Sequence, residues 1–118
     1  MEEKVKKTDY GYELIWASHP TYTGKILVFE GLNARTDMYL HKTKNKSLFV
    51  NSGKFKIRWI ETSNGEIKET EFLEGNTFDV PAMLPIQICS LAYNGSIAEV
   101  SDNNADDVFI ILQSKNLG

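Results

Sequence analysis

Short runs in which apolar and polar residues alternate recur along the whole chain, and this period of two constrains the fold most. In the run GKFKIRWIE, apolar residues at Phe55, Ile57 and Trp59 alternate with cationic ones. Because successive side chains of a strand point to opposite faces, this run predicts a β-strand with one buried face. About ten such runs are separated by turn signals such as HPTYTG, NSG and YNG, and no segment has a sustained helical period. The pattern predicts an all-β domain, either a β-sandwich or a closed or double-sheet barrel.

One hairpin is predicted in detail. The stretch TSNGE places Asn64-Gly65 between a strand with a cationic face and a strand with an acidic face. Asn-Gly is a strong signal for a tight turn between paired strands. The side chains expected to face one another across this hairpin are Lys54, Lys56 and Arg58 on one strand and Glu66, Lys68, Glu69 and Glu71 on the other.

Length and charge limit the class of protein. The chain has 118 residues, of which 42% are hydrophobic, so we expect a single domain over residues 1–118 with loosely held ends at about 1–7 and 114–118. One cysteine and two histidines cannot form a disulfide framework or a closed zinc site with four ligands. The charged start of the chain and the lack of a long apolar run predict a cytoplasmic protein without a membrane segment. A net charge of −3 gives no reason to expect nucleic acid as a partner.

Two motifs resemble a known family. The stretch TDYGYELIWASHPTYTGKILVFEG is similar to the opening of cupins related to type II mannose-6-phosphate isomerase. The matching residues are Gly11, Tyr12, Glu13, Tyr22, Gly24 and Lys25. Further along, GNTFDVPAMLPIQ resembles the second cupin motif, with Gly75 and Pro81 at the family's separation. Asn33 and Met83 stand where the two cupin motifs have glycine. The resemblance implies a cupin-like double-stranded β-helix, which is a jelly-roll barrel.

The resemblance also implies four positions at which cupins hold a metal ion. In this chain they are occupied by Tyr39, His41, Lys46 and Ile86, with Lys46 in place of a glutamate and Ile86 in place of a histidine. Isoleucine has no lone pair, a protonated lysine is a cation, and a neutral tyrosine is a weak ligand. We therefore expect no metal and no other cofactor.

A row of polar residues provides the candidate ligand site. Alternation places Arg35, Asp37, Tyr39 and His41 on one face of the run RTDMYLH. The resemblance implies that this face points into the barrel, so these four residues and Ile86 are the predicted substrate-binding set. Such a pocket would orient a sugar ring, and Lys46 or Arg35 would attract a phosphate. The alternative is a decayed site in which Tyr39 and His41 only satisfy each other or backbone groups.

Three functional hypotheses follow from the sequence. The first is a metal-free protein related to phosphosugar isomerases that binds a small sugar-like or anionic ligand, such as a sugar phosphate. The second is an active sugar isomerase or epimerase of the mannose-6-phosphate isomerase type, whose catalytic residues would be His41, Tyr39 and Lys46, with His41 as the base. The third is a structural or assembly module. We also expect a homodimer formed through sheet edges or an exposed sheet face, with GKILVFE and DVFIILQ as candidate surfaces.

Overall fold

The computed structural model describes residues 4–103 and 108–113, and this part of the chain consists of strands and connecting turns without an α-helix. The strands are β1 (Val5–Thr8), β2 (Gly11–His19), β3 (Tyr22–Phe29), β4 (Met38–His41), β5 (Lys46–Ser52), β6 (Lys54–Ile60), β7 (Ile67–Leu73), β8 (Thr77–Val80), β9 (Ile86–Ser90), β10 (Gly95–Asp102) and β11 (Val108–Leu112). Among the described residues, no helix is long and apolar enough to cross a membrane.

The strands form two sheets that pack face to face. One sheet has six strands in the order β1-β2-β3-β10-β5-β8, and the other has five in the order β11-β4-β9-β6-β7. Neighbouring strands are antiparallel, and several neighbours, such as β3 and β10, are distant in sequence. Antiparallel sheets joined by such long crossovers are typical of a jelly roll. The predicted all-β jelly-roll barrel is confirmed.

The hydrophobic core lies between the two sheets. Its fully buried members include Phe29 on β3, Phe55 and Ile57 on β6, and Ile86 and Ile88 on β9. The rings of Phe29 and Phe55 meet edge to face with their centroids 5.1 Å apart. Since each such side chain contributes about 1.5–3 kcal/mol when it leaves water, these contacts account for much of the stability of the fold.

The predicted hairpin is confirmed. Strands β6 and β7 are paired along their length, and Gly65 in the turn has a φ of 73°. Arg58 Nε lies 2.9 Å from Glu69 Oε2, and Lys54 Nζ lies 3.1 Å from Glu71 Oε1. These pairs are largely exposed, so each contributes only about 0–1 kcal/mol to stability and serves mainly to fix the register.

The ends of the chain differ in part from the prediction. Residues 5–7, which we expected to be loosely held, belong to β1, which pairs with β2 in the six-stranded sheet. The sequence VKKT gives no apolar alternation, so the pairing depends on backbone hydrogen bonds that the pattern of side chains does not reveal. The other predicted loose end, residues 114–118, lies outside the described residues.

Candidate functional site

A polar cavity of about 300 Å³ occupies one end of the barrel interior, between the two sheets. Five cationic and four acidic side chains line it, together with Tyr10, Tyr39 and His41. The cations are Lys6, Lys25, Arg35, Lys44 and Lys46, and the acids are Asp9, Glu13, Asp37 and Glu99. So many charged groups in a partly enclosed space are costly unless they are paired or meet a ligand or water.

The structure brings most of the predicted site residues to this cavity. Arg35, Asp37, Tyr39, His41 and Lys46 all line it. Tyr39 and His41 project from β4 two residues apart, and their rings meet edge to face with centroids 5.6 Å apart. Alternation along β4 therefore places these side chains on the inward face, while their role in binding stays a prediction.

Ile86 is the predicted site residue that does not reach the cavity. It pairs with Tyr39 across β4 and β9, but its side chain is fully buried in the hydrophobic core. An apolar side chain next to a polar cavity packs away from water and against the core, which corrects the expected contact between Ile86 and a ligand.

Lys46, Tyr39 and Glu99 form a buried cluster at the cavity wall. The Nζ of Lys46 lies 2.5 Å from the Tyr39 hydroxyl and 3.3 Å from Glu99 Oε1. It also lies 4.5 Å from the centre of the Tyr39 ring. The Lys46 side chain is only 2% exposed and that of Glu99 is 9% exposed, so this ion pair is largely removed from water.

The charge states of the cluster follow from its surroundings. Burial raises the pKa of Tyr39, and the opposing attraction of Lys46 does not cancel this effect, so the phenol is neutral near pH 7. Burial alone lowers the pKa of Lys46, but the interactions with Tyr39 and Glu99 outweigh it, and the pKa is raised. Because the phenol is neutral near pH 7, the Glu99 carboxylate is the group that holds the charge on Lys46 there.

A second polar cluster lines the cavity next to the first, since Lys25 on β3 is the register partner of Glu99 on β10. Tyr10 donates a hydrogen bond of 2.9 Å to Glu13 Oε2, and Lys25 Nζ lies 3.3 Å from Glu13 Oε1. The Tyr10 ring stacks on Phe29 with the centroids 4.3 Å apart, which joins this cluster to the core. Burial, followed by the nearby Glu13, raises the pKa of Tyr10 well above its usual range.

Sequence reasoning missed Glu13, Lys25 and Glu99 as site residues, although signals for them were present. Glu13 and Lys25 belong to the motif that resembles the cupin opening, where we interpreted them only as markers of the fold. Glu99 follows Ile97 by two residues on β10, and both are buried. A glutamate at an inward-facing position of an apolar strand indicates a buried partner or a polar cavity.

The four positions at which the resemblance implies metal ligands do not fit a divalent cation. Three of these positions lie together, because Tyr39 contacts both Lys46 and His41. The cluster centre holds the Lys46 ammonium, which would repel a metal ion. Over residues 4–103 and 108–113, no group of three or more His, Cys, Asp or Glu side chains is arranged to hold one.

Two turn residues other than glycine have a left-handed backbone conformation. Asn33 and Met83, which stand at the motif glycines, have φ angles of 67° and 73°. This left-handed region is natural for glycine and tolerated by asparagine, but it is strained for methionine.

Several solved structures have the same architecture as this chain. The capsular polysaccharide assembling protein CapF from Staphylococcus aureus superposes with a TM-score of 0.78 over 92% of this chain and 32% of its own, at 19% identity. KdgF from Halomonas sp. superposes with a TM-score of 0.74 over 89% of this chain and 90% of its own, at 17% identity. Oxalate decarboxylase from Bacillus subtilis gives a TM-score of 0.77 over 91% of this chain and 29% of its own, at 15% identity.

The chain has the cupin fold. It spans about a third of the length of CapF and of oxalate decarboxylase, but nearly all of KdgF. No protein-family model and no curated protein sequence matches it. At identities below 20% these likenesses establish the fold alone, and the finer resemblance to mannose-6-phosphate isomerase stays a prediction.

Proposed function

We propose that this cupin-fold protein binds a small hydroxylated ligand in the barrel cavity without using a metal ion. The observation that carries the proposal is the polar wall of the cavity, where two tyrosines and two internal ion pairs face a common space of about 300 Å³. Small-molecule sites have volumes of about 300–1,000 Å³. A cavity at the lower end of this range suits a single sugar unit rather than a chain of them.

The chemistry of the wall favours a ligand with several hydroxyl groups. Donors and acceptors alternate around the space: Lys25 and Lys46 donate, Glu13 and Glu99 accept, and the Tyr39 hydroxyl can do both. Side chains two residues apart on a strand are about 6.6–7 Å apart, comparable to the width of a pyranose ring. A sugar or a sugar derivative matches both the spacing and the alternation of partners.

A thermal-shift screen tests the proposal. The panel contains neutral monosaccharides, sugar acids and sugar phosphates, and a ligand at a hundredfold excess over its Kd adds about 2.7 kcal/mol of stability. We expect at least one class to raise the Tm of the wild type and to do so less in His41→Ala. If no compound raises the Tm, or if every hit acts equally on both proteins, the ligand site is not this cavity.

Isomerisation in the same cavity is a second candidate. It is favoured by one observation: His41, a potential base, and the Lys46 ammonium, a potential electrophile, both contact Tyr39. Moving a proton between adjacent carbons of a sugar needs both groups. Incubation of aldoses and mannose 6-phosphate in heavy water would incorporate deuterium at C2 if the site is active. Binding without exchange would contradict catalysis while leaving the binding proposal intact.

The outer face of the six-stranded sheet carries an apolar row that favours assembly with a second copy of the chain. Five residues in register on neighbouring strands, Val5, Leu14, Ile26, Ala98 and Phe49, form an apolar row across that face. Ile26 comes from GKILVFE, which lies in the middle of the sheet and not at an edge. Contiguous exposed apolar surface favours an isologous contact with a second copy of the chain.

Light scattering tests this assembly directly. We expect a homodimer at tens of micromolar protein, and Leu14→Glu should convert it to a monomer because the charge would be buried in the contact. The matched variant Ile110→Lys changes the exposed edge strand β11, which derives from DVFIILQ, and should leave the dimer intact. A single chain of 13.4 kDa would contradict the dimer, and a monomer only in Ile110→Lys would place the contact at the edge.

A further inference from the structure

We infer that the Lys46 ammonium and the Tyr39 hydroxyl form an oxyanion site that takes the carboxylate of a small hydroxylated acid. The inference rests on the proposed function, since it specifies the group that a ligand of the cavity would present to its deepest polar wall. The site would hold one monovalent oxyanion, as found in sugar acids and hydroxy acids.

The donors of the two residues carry the argument. An ammonium has three N–H donors, and the described residues accept two of those of Lys46, at the Tyr39 hydroxyl and at Glu99 Oε1. The Tyr39 hydroxyl accepts from Lys46, while no acceptor for its own O–H occurs within residues 4–103 and 108–113. One donor on each of two atoms 2.5 Å apart is therefore left for the cavity that both residues line.

Burial makes these remaining donors significant. The Lys46 side chain is 2% exposed, so bulk water does not satisfy it as it would a surface lysine. Buried donors without an acceptor are costly, and native structures supply a partner for nearly all of them. The cavity is the open space next to this pair, so a ligand oxygen, or a water molecule that the ligand displaces, would be the missing acceptor.

The charge of the cluster selects among oxyanions. Glu99 lies 3.3 Å from the ammonium and balances most of its charge. That carboxylate would repel a phosphate with two negative charges about twice as strongly as a ligand with one. A neutral hydroxyl would accept from the ammonium without the attraction between opposite charges. Its bond from the neutral Tyr39 hydroxyl would also lack the charge assistance that makes a hydrogen bond roughly twice as strong. A carboxylate has one charge and two oxygens for the two donors, so it fits best.

The cations nearer the cavity mouth support this assignment without selecting the ligand. Lys25 is 27% exposed, and Lys6 also lines the cavity. Partly solvated lysines raise the local concentration of anions and speed their association. Their partial exposure means that they would favour any anion to a similar extent, so the discrimination between carboxylate and phosphate comes from the buried cluster.

Calorimetric titration with matched sugars tests the inference. The probes share the six-carbon skeleton of glucose: glucose itself, the ring acid glucuronate, the open-chain acid gluconate, and glucose 6-phosphate. We expect at least one of the two acids to bind the wild type about tenfold or more tightly than both glucose and glucose 6-phosphate, because only the acids satisfy both donors with a single charge. The same series in the galacto and manno configurations covers the dependence on ring stereochemistry.

Two variants test whether the preference for acids depends on Tyr39 and Lys46. Tyr39→Phe removes one donor and keeps the ring, and we expect it to reduce acid binding about tenfold or more and glucose binding less than twofold. Lys46→Met combined with Glu99→Leu removes the charged pair without leaving an unpaired carboxylate, and should abolish the preference for acids. Lys42→Met, a change outside the cavity lining, is the control and should bind like the wild type.

The outcomes separate this inference from the proposed function. Equal affinity for glucose and the acids, or tighter binding of glucose 6-phosphate, would overturn the carboxylate site while the binding proposal stands. A preference for acids that survives in both variants would overturn the assignment to Lys46 and Tyr39. If no sugar of any class binds, both the inference and the proposed function fail.

Discussion

The two ends of the barrel interior are built by the same strands but have opposite chemistry. On β3, the inward row runs from Lys25 at the cavity to Leu27 and then to Phe29 in the core. On β10, Glu99 at the cavity is followed in the row by Ile97, which is fully buried. On β10 a step of two residues thus leads from the polar cavity to the hydrophobic core, while on β3 Leu27 lies at the boundary and contacts both. The polar cavity therefore begins where a charged residue interrupts the apolar inward row.

The largest expected effect is at the apolar end. Phe55→Ala would remove a fully buried ring that packs against Phe29 and leave a cavity that the surrounding sheets cannot fill. We expect the free energy of unfolding to fall by about 3–5 kcal/mol in urea titrations. Phe109→Ala, at an exposed ring on β11, is the matched control and should cost much less. Equal losses would mean that the core does not lie where the structure places it.

The next effect tests the polar end. Glu99→Gln would leave the buried Lys46 ammonium without its carboxylate, and we expect a loss of about 3 kcal/mol. In the double variant Lys46→Met with Glu99→Leu, the buried ion pair is replaced by two apolar side chains like those of the core. Its stability should lie within about 1 kcal/mol of the wild type or above it, because buried ion pairs are rarely better than apolar packing.

The two variants together decide whether the polar end is kept for function. A double variant that is stable but binds no ligand would show that the cluster exists for the cavity and not for the fold. A double variant as unstable as Glu99→Gln would indicate instead that Lys46 and Glu99 stabilise the barrel. Lys54→Met, which changes an exposed pair on β6, should alter stability by less than about 0.5 kcal/mol.

The stability of the protein at alkaline pH provides a third test, which concerns the cavity end. Burial raises the pKa of Tyr39, and Tyr39 together with Glu99 raises that of Lys46 despite burial, from ordinary values of 10.0 and 10.5. The folded protein therefore keeps protons that the unfolded chain releases, so this stability is present below about pH 10 and is lost as the pH rises further. Tyr10 contributes in the same direction.

The measurement is urea unfolding at a series of pH values between about 8 and 11. The wild type should lose stability steeply above about pH 10. The loss should be smaller in Tyr39→Phe and smaller again when Lys46 and Glu99 are also replaced by Met and Leu. An unchanged alkaline slope in these variants would contradict the assigned charge states, since other lysines and tyrosines would then account for it.

Much of this architecture could be predicted from the sequence because it follows from local alternation. The run around Phe55, Ile57 and Trp59 predicts a half-buried strand, and Asn64-Gly65 predicts the turn that follows. The placement of Tyr39 and His41 on one face of β4 also follows from the period of two. These are statements about one strand or one hairpin, for which the chain itself supplies the geometry.

The composition of the cavity wall could not be predicted in the same way. Lys46 contacts Tyr39 of the opposite sheet and Glu99 of a strand more than fifty residues away in sequence. Which inward-facing residues meet depends on the strand order and on the stagger between sheets, and neither is written in a local pattern. Ile86 shows the converse error, because it sits beside Tyr39 in register but packs into the core.

The smallest expected effect concerns backbone strain, which also distinguishes the two ends. Beside the core, the tight turn after β5 uses a glycine, Gly53, with a φ of 90°. At the cavity end, Met83 has a φ of 73°, and its N–H donates a 2.7 Å hydrogen bond to the His41 carbonyl. A left-handed conformation costs about 1–2 kcal/mol for a residue with a side chain, whereas glycine accepts it but loses more chain entropy on folding.

Met83→Gly should therefore raise the free energy of unfolding by about 0.5–1 kcal/mol in urea titrations. The neighbouring Ala82→Gly, where φ is not positive, should instead lower it by a similar amount. If both substitutions destabilise equally, the turn after Pro81 carries no strain, and the cavity end is as relaxed as the core.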